Sequence, residues 1–232
     1  MISKNTDLKA RRREEILNMA TPIFAERGYQ RTDLQVVADR LKVGKGTLYR
    51  YFPTKRALFL AAVRRGMHCL TAYVDGAVKD LSDPLEQIAG GIRAYLEFFQ
   101  TNPSLVELII QERAEFNDRS RPTYFEHRDA NMGRWKDLIR RMIAAKQVRD
   151  IPVERVSEVI GNLLYGTMFT NYFLGATKSH DMQTEDILDI VLHGILNPES
   201  GGSEAVTKRK STKRPISSGR KIKEKMRGLS LE

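Results

Sequence analysis

The chain has 232 residues, of which 39 are Lys or Arg and 29 are Asp or Glu, so its formal net charge is +10. A single cysteine, Cys69, excludes a disulfide framework and a multi-cysteine zinc site. No apolar run reaches the roughly 18 residues of a membrane span, and the first residues lack a signal peptide's apolar core. We therefore expect a soluble, cytoplasmic protein with no membrane partner.

The basic excess is concentrated at the two ends of the chain. Residues 1–65, called the head below, hold 15 basic and 6 acidic residues, and residues 199–232, the tail, hold 10 and 4. The segment between them, residues 66–198, is the body and holds 14 basic and 19 acidic residues. Because Lys and Arg neutralise phosphates, basic ends favour a nucleic-acid partner.

Helical periodicity and helix caps predict four helices at the start of the chain. The stop signals are Gly28 after the first helix and Pro53 after the third. The first predicted helix covers 8–27, and the second begins with a Thr32–Gln35 capping box. The third follows the break at 42–45, and the fourth is capped by Thr54 and runs from Lys55 towards residue 80. A short helix, a tight turn and a second short helix form the layout of a helix-turn-helix.

The body predicts longer helices separated by proline- and glycine-containing breaks. The predicted ranges are 84–101, 104–118, 122–148, 153–175 and 184–196. No segment alternates with the period of a strand. The tail is rich in Gly, Ser, Lys and Arg, a composition that predicts disorder. The expected fold is therefore all-α with about nine helices.

Residues 32–59 read TDLQVVADRLKVGKGTLYRYFPTKRALF, with a capping Thr, a Val-Ala pair, a short turn and the run G-T-L-Y-x-Y-F-P-x-K-x-x-L-F. This pattern resembles the TetR family of bacterial transcriptional regulators. The resemblance implies an N-terminal three-helix, helix-turn-helix DNA-binding domain over 1–65. It further implies a larger helical effector-binding and dimerisation domain over 66–198, followed by the basic tail, 199–232.

The second helix of the helix-turn-helix offers a row of hydrogen-bond donors, whereas Leu48 and Phe52 point inward. Lys45 can reach guanine and Thr47 can contact thymine or another base edge. By resemblance, Tyr49 and Lys55 contact phosphates, and Tyr51 contacts a base or a phosphate. The predicted DNA-binding residues are Arg31, Thr32, Lys42, Lys45, Gly46, Thr47, Tyr49, Arg50, Tyr51 and Lys55.

Two positions depart from the family pattern. Lys42 stands where the family usually has Gly in the turn, which predicts a lysine with positive φ at a cost of roughly 1 kcal/mol. Gly44 stands where the family often has Ser as the helix cap, a change that costs only a few tenths of a kcal/mol.

The helix predicted over 153–175 is apolar on nearly every face, which predicts burial on two sides. By resemblance, the helices near 153–175 and 184–196 form a four-helix interface of a homodimer. A homodimer would place two recognition helices on a palindromic site in double-stranded DNA.

Family resemblance also implies an effector cavity in the body, and the mixture of aromatic and Met side chains predicts an apolar effector. Ordinary core packing is the alternative for each residue of this set. The candidate wall residues are Phe98, Phe99, Ile109, Trp135, Leu138, Ile139, Met142, Met168, Phe169 and Tyr172.

Three classes of function compete. The first is a homodimeric repressor released from its operator by a small apolar ligand. The second is a DNA-binding regulator or architectural protein without a small-molecule ligand, controlled by a protein partner. The third is an enzyme, for which the sequence offers no catalytic residue set, no metal-ligand spacing and no cofactor motif.

Overall fold

The computed structural model describes residues 2–193, with side chains from residue 7 onward, and this range holds ten α-helices and no strand. The all-α prediction is confirmed. None of the described helices combines the length and the apolar character needed to cross a membrane. The helices are α1 Ile2–Arg27, α2 Leu34–Arg40, α3 Lys45–Tyr51, α4 Lys55–Val78, α5 Pro84–Thr101, α6 Pro103–Glu115, α7 Thr123–Asn131, α8 Gly133–Ala144, α9 Val153–Leu174 and α10 His180–His193.

The end of α1 and the turn before α3 follow the sequence prediction. Gly28 has φ +79° and its N–H donates to the Phe24 carbonyl at 2.9 Å, which ends α1. Lys42 has φ +54° in the turn between α2 and α3, the strained conformation expected of a lysine at this position. The Leu48 and Phe52 side chains are buried, and they fix α3 against the core of the head.

The cap of α2 differs from the prediction. Asp33, not Thr32, is the capping residue, and its carboxylate accepts from the Gln35 N–H at 2.8 Å. The Thr32 side chain is buried and donates to the Gly28 carbonyl at 2.7 Å. The Thr32–Gln35 capping box was wrong because the aspartate one residue later competes for the same N–H groups.

Two helices of the body also differ from the prediction. The predicted helix over 122–148 is interrupted at Met132, where α7 ends and α8 begins with Gly133, a poor helix former. The last helix begins at His180 rather than residue 184, because Ser179 Oγ accepts from the Met182 N–H at 3.2 Å and caps it.

Helix α4 is the central element of the fold. It packs against α1 and α6 near the head and against α5 and α7 in the body. The predicted domain boundary at 65/66 falls inside this helix. The end of the last predicted helix, 194–196, and the basic tail, 199–232, lie outside the described residues.

Candidate functional site

Helix α3 presents an exposed row of polar groups on the surface of the head. Tyr49 is 43% exposed, Arg50 is exposed and Thr47 is half-buried. At Gly46 a Cβ would have no neighbour within 4 Å, so the backbone here is open to a large ligand. These groups lie opposite the buried Leu48 side chain. The arrangement matches a helix whose outer face enters a DNA groove.

Lys45, predicted to contact guanine, forms an ion pair across the turn. Its Nζ lies 2.8 Å from Asp33 Oδ1, which also accepts from the Gln35 N–H. The Gln35 N–H and the Lys45 ammonium lower the pKa of Asp33, and the same pair raises the pKa of Lys45. Both side chains lie at the surface, where water screens the ion pair, so the Lys45 ammonium remains accessible from solvent.

Lys55, predicted to contact a phosphate, closes the turn after α1. Its Nζ donates to the carbonyls of Gln30 and Thr32, both at 3.1 Å, and lies 4.6 Å from the centre of the Tyr29 ring. An ammonium has three N–H donors, so one remains for a phosphate. Replacing Lys55 would therefore disturb the head itself as well as any DNA contact.

The remaining predicted DNA residues have different surroundings. Thr32 was predicted to bind DNA, but its buried hydroxyl donates to the Gly28 carbonyl inside the protein. Arg31 and Lys42 are exposed, and Arg31 Nε donates to the Arg27 carbonyl at 3.1 Å. Tyr51 is half-buried, with the Arg50 guanidinium carbon 5.5 Å from its ring centre. Most of the predicted set is thus exposed or half-buried, whereas Thr32 is buried.

The body contains a partly open cavity of about 200 Å³ between α4, α5, α7, α8 and α9. Most of its wall is apolar, and polar groups of α4, α7 and α8 complete it. A cavity of this character suits a ligand with a large apolar part. The apolar and aromatic wall residues are Met67, Leu70, Val74, Ile88, Ile92, Tyr95, Tyr124, Met132, Trp135, Ile139, Ile160 and Leu164.

Two hydrogen-bonded tyrosines and a histidine form part of the cavity wall, and a second histidine packs behind the first. The Tyr95 and Tyr124 hydroxyls are 2.8 Å apart; burial raises the pKa of Tyr95 and raises that of Tyr124 to about 12. The His127 Nε2 lies 3.2 Å from Thr71 Oγ1, and the His68 ring packs edge-on against it at 5.4 Å. Burial and the neighbouring His68 lower the pKa of His127, which favours the neutral imidazole.

Only part of the predicted cavity set lies at this cavity. Trp135 and Ile139 form part of its wall, whereas Ile109 lines a separate surface groove beside Phe125. The walls from α4, α5 and α7 were not predicted from the sequence. The adjacent Gly90–Gly91 pair was a usable signal, because a Cβ at Gly91 would overlap the Trp135 ring. The others pack in the core or against it, without lining the cavity: Phe98, Phe99, Leu138, Met142, Met168, Phe169 and Tyr172.

Two neighbouring residues of α6 connect the body to other elements. The buried Glu112 Oε1 accepts from Arg119 Nη1 at 2.6 Å and from the Thr123 N–H and hydroxyl at 3.0 and 2.7 Å, which fixes the start of α7. Gln111 Nε2 donates to the Phe24 carbonyl of α1 at 3.0 Å. Helix α6 therefore contacts both the wall helix α7 and the head.

Phe116, at the end of α6, strengthens the contact with the head. Its ring is 6% exposed and packs edge-on against Tyr29 at 4.9 Å and Phe59 at 5.5 Å. The Arg56 guanidinium covers the ring at 4.9 Å and pairs with Asp118 at 2.6 Å. This aromatic cluster joins the turn after α1, helix α4 and the end of α6.

Helix α9 carries an exposed stripe that the single chain leaves uncovered. Val159 is 56% exposed, Leu163 is 38% exposed and Phe173 is 65% exposed. With Gly166 and Thr170, these positions follow the alternating four- and three-residue spacing of a helix-packing face. On α10, Met182 and Ile190 are also about half exposed.

Comparisons with known proteins agree with this arrangement. The family model for bacterial regulatory proteins of the tetR family matches residues 16–62. A model for a tetracyclin repressor-like C-terminal domain matches residues 81–168. The HTH-type transcriptional repressor KstR2 of Mycolicibacterium smegmatis is 26% identical over 188 residues, which cover 80% of this chain and 91% of that protein.

Two solved structures have the same fold. The ketosteroid transcriptional regulator KstR2 of Mycobacterium tuberculosis has a TM-score of 0.56 at 24% identity and covers 80% of this chain and 95% of its own. The fatty acid degradation regulator FadR from Bacillus halodurans has a TM-score of 0.67 at 14% identity, with coverages of 79% and 99%.

Proposed function

We propose, from the premise that this chain belongs to the TetR family of bacterial transcriptional regulators, that it is a homodimeric repressor released by a small, largely apolar ligand. Helix α4 carries this proposal. It begins directly after the recognition helix α3, and its residues Met67, Leu70 and Val74 line the cavity. One continuous helix of 24 residues therefore joins the DNA-contacting surface to the ligand site.

The cavity supports ligand control over the alternative of a regulator with no small-molecule ligand. A core without space would have favoured control by a protein partner alone. The space of about 200 Å³ exceeds an engineered cavity of about 150 Å³ that binds benzene. A ligand here touches α4 directly and touches α7, whose first residue Thr123 is bonded to Glu112 of α6. Binding can thus shift α4, which begins in the head, and act through α7 on α6, which contacts α1.

The exposed stripe of α9 supports the homodimer. An isologous interface buries the same residues of both copies. Val159, Leu163 and Phe173 provide apolar contacts, and Gly166 lets the partner helix approach closely. The dimer would hold two copies of α3 one DNA turn apart, about 34–36 Å, so the operator is expected to be palindromic.

Two α3 variants separate base reading from phosphate binding. Thr47→Ala is expected to relax discrimination at one base pair by roughly 1–3 kcal/mol, because it removes a base contact. Tyr49→Phe is expected to weaken specific and random DNA by similar factors, because it removes a phosphate contact. Fluorescence anisotropy checks both with a duplex selected from a random pool and with a scrambled duplex.

Tyr73→Phe is the matched control, because Tyr73 is 42% exposed on α4, close to the 43% of Tyr49, and lies outside the head. Its DNA affinity is expected to stay unchanged. Equal losses on both duplexes for Thr47→Ala, or no loss for Tyr49→Phe, would contradict the assigned roles.

A further inference from the structure

The charges around the cavity are unevenly compensated. Arg134 Nη1 pairs with Asp75, and its guanidinium carbon lies 4.5 Å from the Trp135 ring centre. These two cavity-lining charges therefore neutralise each other. His127, the titratable group beside them, is favoured in its neutral form. The charge that remains at the wall is the guanidinium of Arg128.

Arg128 is held in place but not neutralised. Its side chain is 24% exposed, and its Nε donates to Asp129 Oδ1 at 3.2 Å. That carboxylate is shared with Arg121. Among the described residues, no other acceptor is hydrogen-bonded to Arg128, so its two terminal nitrogens are available to a ligand. Stacking on Phe125, 5.0 Å from the ring centre, limits where the guanidinium can turn.

The surroundings of Arg128 are those of a ligand headgroup site. Arg128 Cδ lies 3.9 Å from where a Cβ on Gly161 would stand, so the absence of a side chain at 161 leaves space beside it. Burial raises the pKa values of Tyr95 and Tyr124. The positive charge of Arg128 lowers both pKa values in part, which shows that the guanidinium lies near the two hydroxyls. The hydroxyls stay protonated, and because one of them donates to the other, at most one O–H is left to donate to a ligand.

We propose that the effector is an amphiphile whose apolar part fills the cavity and whose carboxylate or similar oxyanion binds the terminal nitrogens of Arg128. This inference rests on the proposed ligand control and adds the chemical class of the ligand. A guanidinium offers two parallel N–H donors that match the two oxygens of a carboxylate. The apolar part of the ligand would contact an apolar wall formed by Leu70, Val74, Ile92, Ile139 and Leu164.

Trp135 makes the proposal measurable, because it is the only tryptophan of the chain and lines the cavity. The full chain is titrated with octanoate, octanol and octylamine, three probes with the same chain length and different headgroups, while tryptophan fluorescence is recorded. Octanoate is expected to bind about tenfold or more tightly than octanol, the factor expected of a charged hydrogen bond. Octylamine is expected to bind most weakly.

Arg128→Gln is expected to lower octanoate affinity to that of octanol and to leave octanol affinity unchanged, which also shows that the variant is folded. Arg128→Lys, which keeps the charge and loses the paired donors, is expected to retain part of the preference. Arg140→Gln is the matched control, because Arg140 lies on the same helix as Trp135, pairs with Asp137 and does not line the cavity.

Four results would overturn the inference. Equal affinity for octanoate and octanol, or a preference that survives in Arg128→Gln, would refute the oxyanion and leave ligand control standing. Tighter binding of octylamine would assign the site to Asp75 and the aromatic wall. Binding of none of the probes would contradict the inference and remove the cavity as support for ligand control, whereas DNA binding by α3 would be unaffected.

Discussion

Replacing Phe116 with alanine is expected to lower the free energy of unfolding by about 3–5 kcal/mol, the range for truncation of a buried phenylalanine. The ring is 6% exposed and touches Tyr29 and Phe59 edge-on. Its removal leaves a cavity where the end of α6 meets the head and deprives the Arg56 guanidinium of its ring contact. Urea-induced unfolding of the full chain, followed by circular dichroism, measures the change.

Leu85→Ala is the control, because this α5 side chain is 41% exposed and is expected to change stability by no more than about 0.5 kcal/mol. Phe116→Leu keeps most of the buried volume and is expected to lose less stability than the alanine variant. A loss below about 1 kcal/mol for Phe116→Ala would contradict a role for this ring in joining α6 to the head.

Replacing both Val159 and Leu163 with arginine is expected to convert the proposed homodimer into a monomer. Both residues lie on the exposed stripe of α9, and an isologous interface would bring four added positive charges together. Each chain should remain folded because the two side chains are 56% and 38% exposed. Sedimentation velocity measures the mass of the particle in solution.

The same variant is expected to bind its selected duplex at least about 100-fold more weakly, because each half-site is then bound independently. Leu85→Arg adds a charge at an exposed leucine outside the stripe, and this control is expected to remain dimeric. A dimer that survives the double substitution would place the interface elsewhere, and a monomeric unsubstituted chain would refute the homodimer.

The head could be predicted from sequence because its signals are local. Gly28 ends α1 through its own positive φ, and the Thr54 hydroxyl accepts from the Ala57 N–H. Leu48 and Phe52, one helical turn apart, are both buried. At the start of α2, two adjacent residues could each cap the helix, and the preference of capping positions for Thr or Asp did not decide between them. Asp33 capped α2, and Thr32 became a buried partner of the Gly28 carbonyl.

The cavity could not be predicted in the same way because its walls come from five helices. On α8, Trp135 and Ile139 face the cavity whereas Leu138 and Met142 face the core, and all four fit the same apolar pattern. The choice between the two faces depends on how α8 packs against α5. Gly91 permits this packing, because its missing side chain makes room for the Trp135 ring.

The polar character of the site also depends on tertiary structure. Arg128 and Asp75 are far apart in sequence and face the same cavity, yet only Asp75 has a counter-ion that also lines it, Arg134. The prediction of an apolar effector was made from composition, which does not place the charged residue Arg128 at the wall. Which cation remains available follows only from the geometry of the ion pairs.

Mapping every genomic site bound by the purified full chain tests the central claim most directly, with unsubstituted protein and Thr47→Ala compared on the same fragmented DNA. We predict a small set of discrete sites that share an inverted repeat, with half-site centres about 10–10.5 base pairs apart or a multiple of that spacing. The Thr47→Ala protein should bind the same sites with relaxed preference at one position of each half-site. Even coverage with no shared sequence, identical for the two proteins, would contradict a sequence-specific regulator that reads DNA through α3.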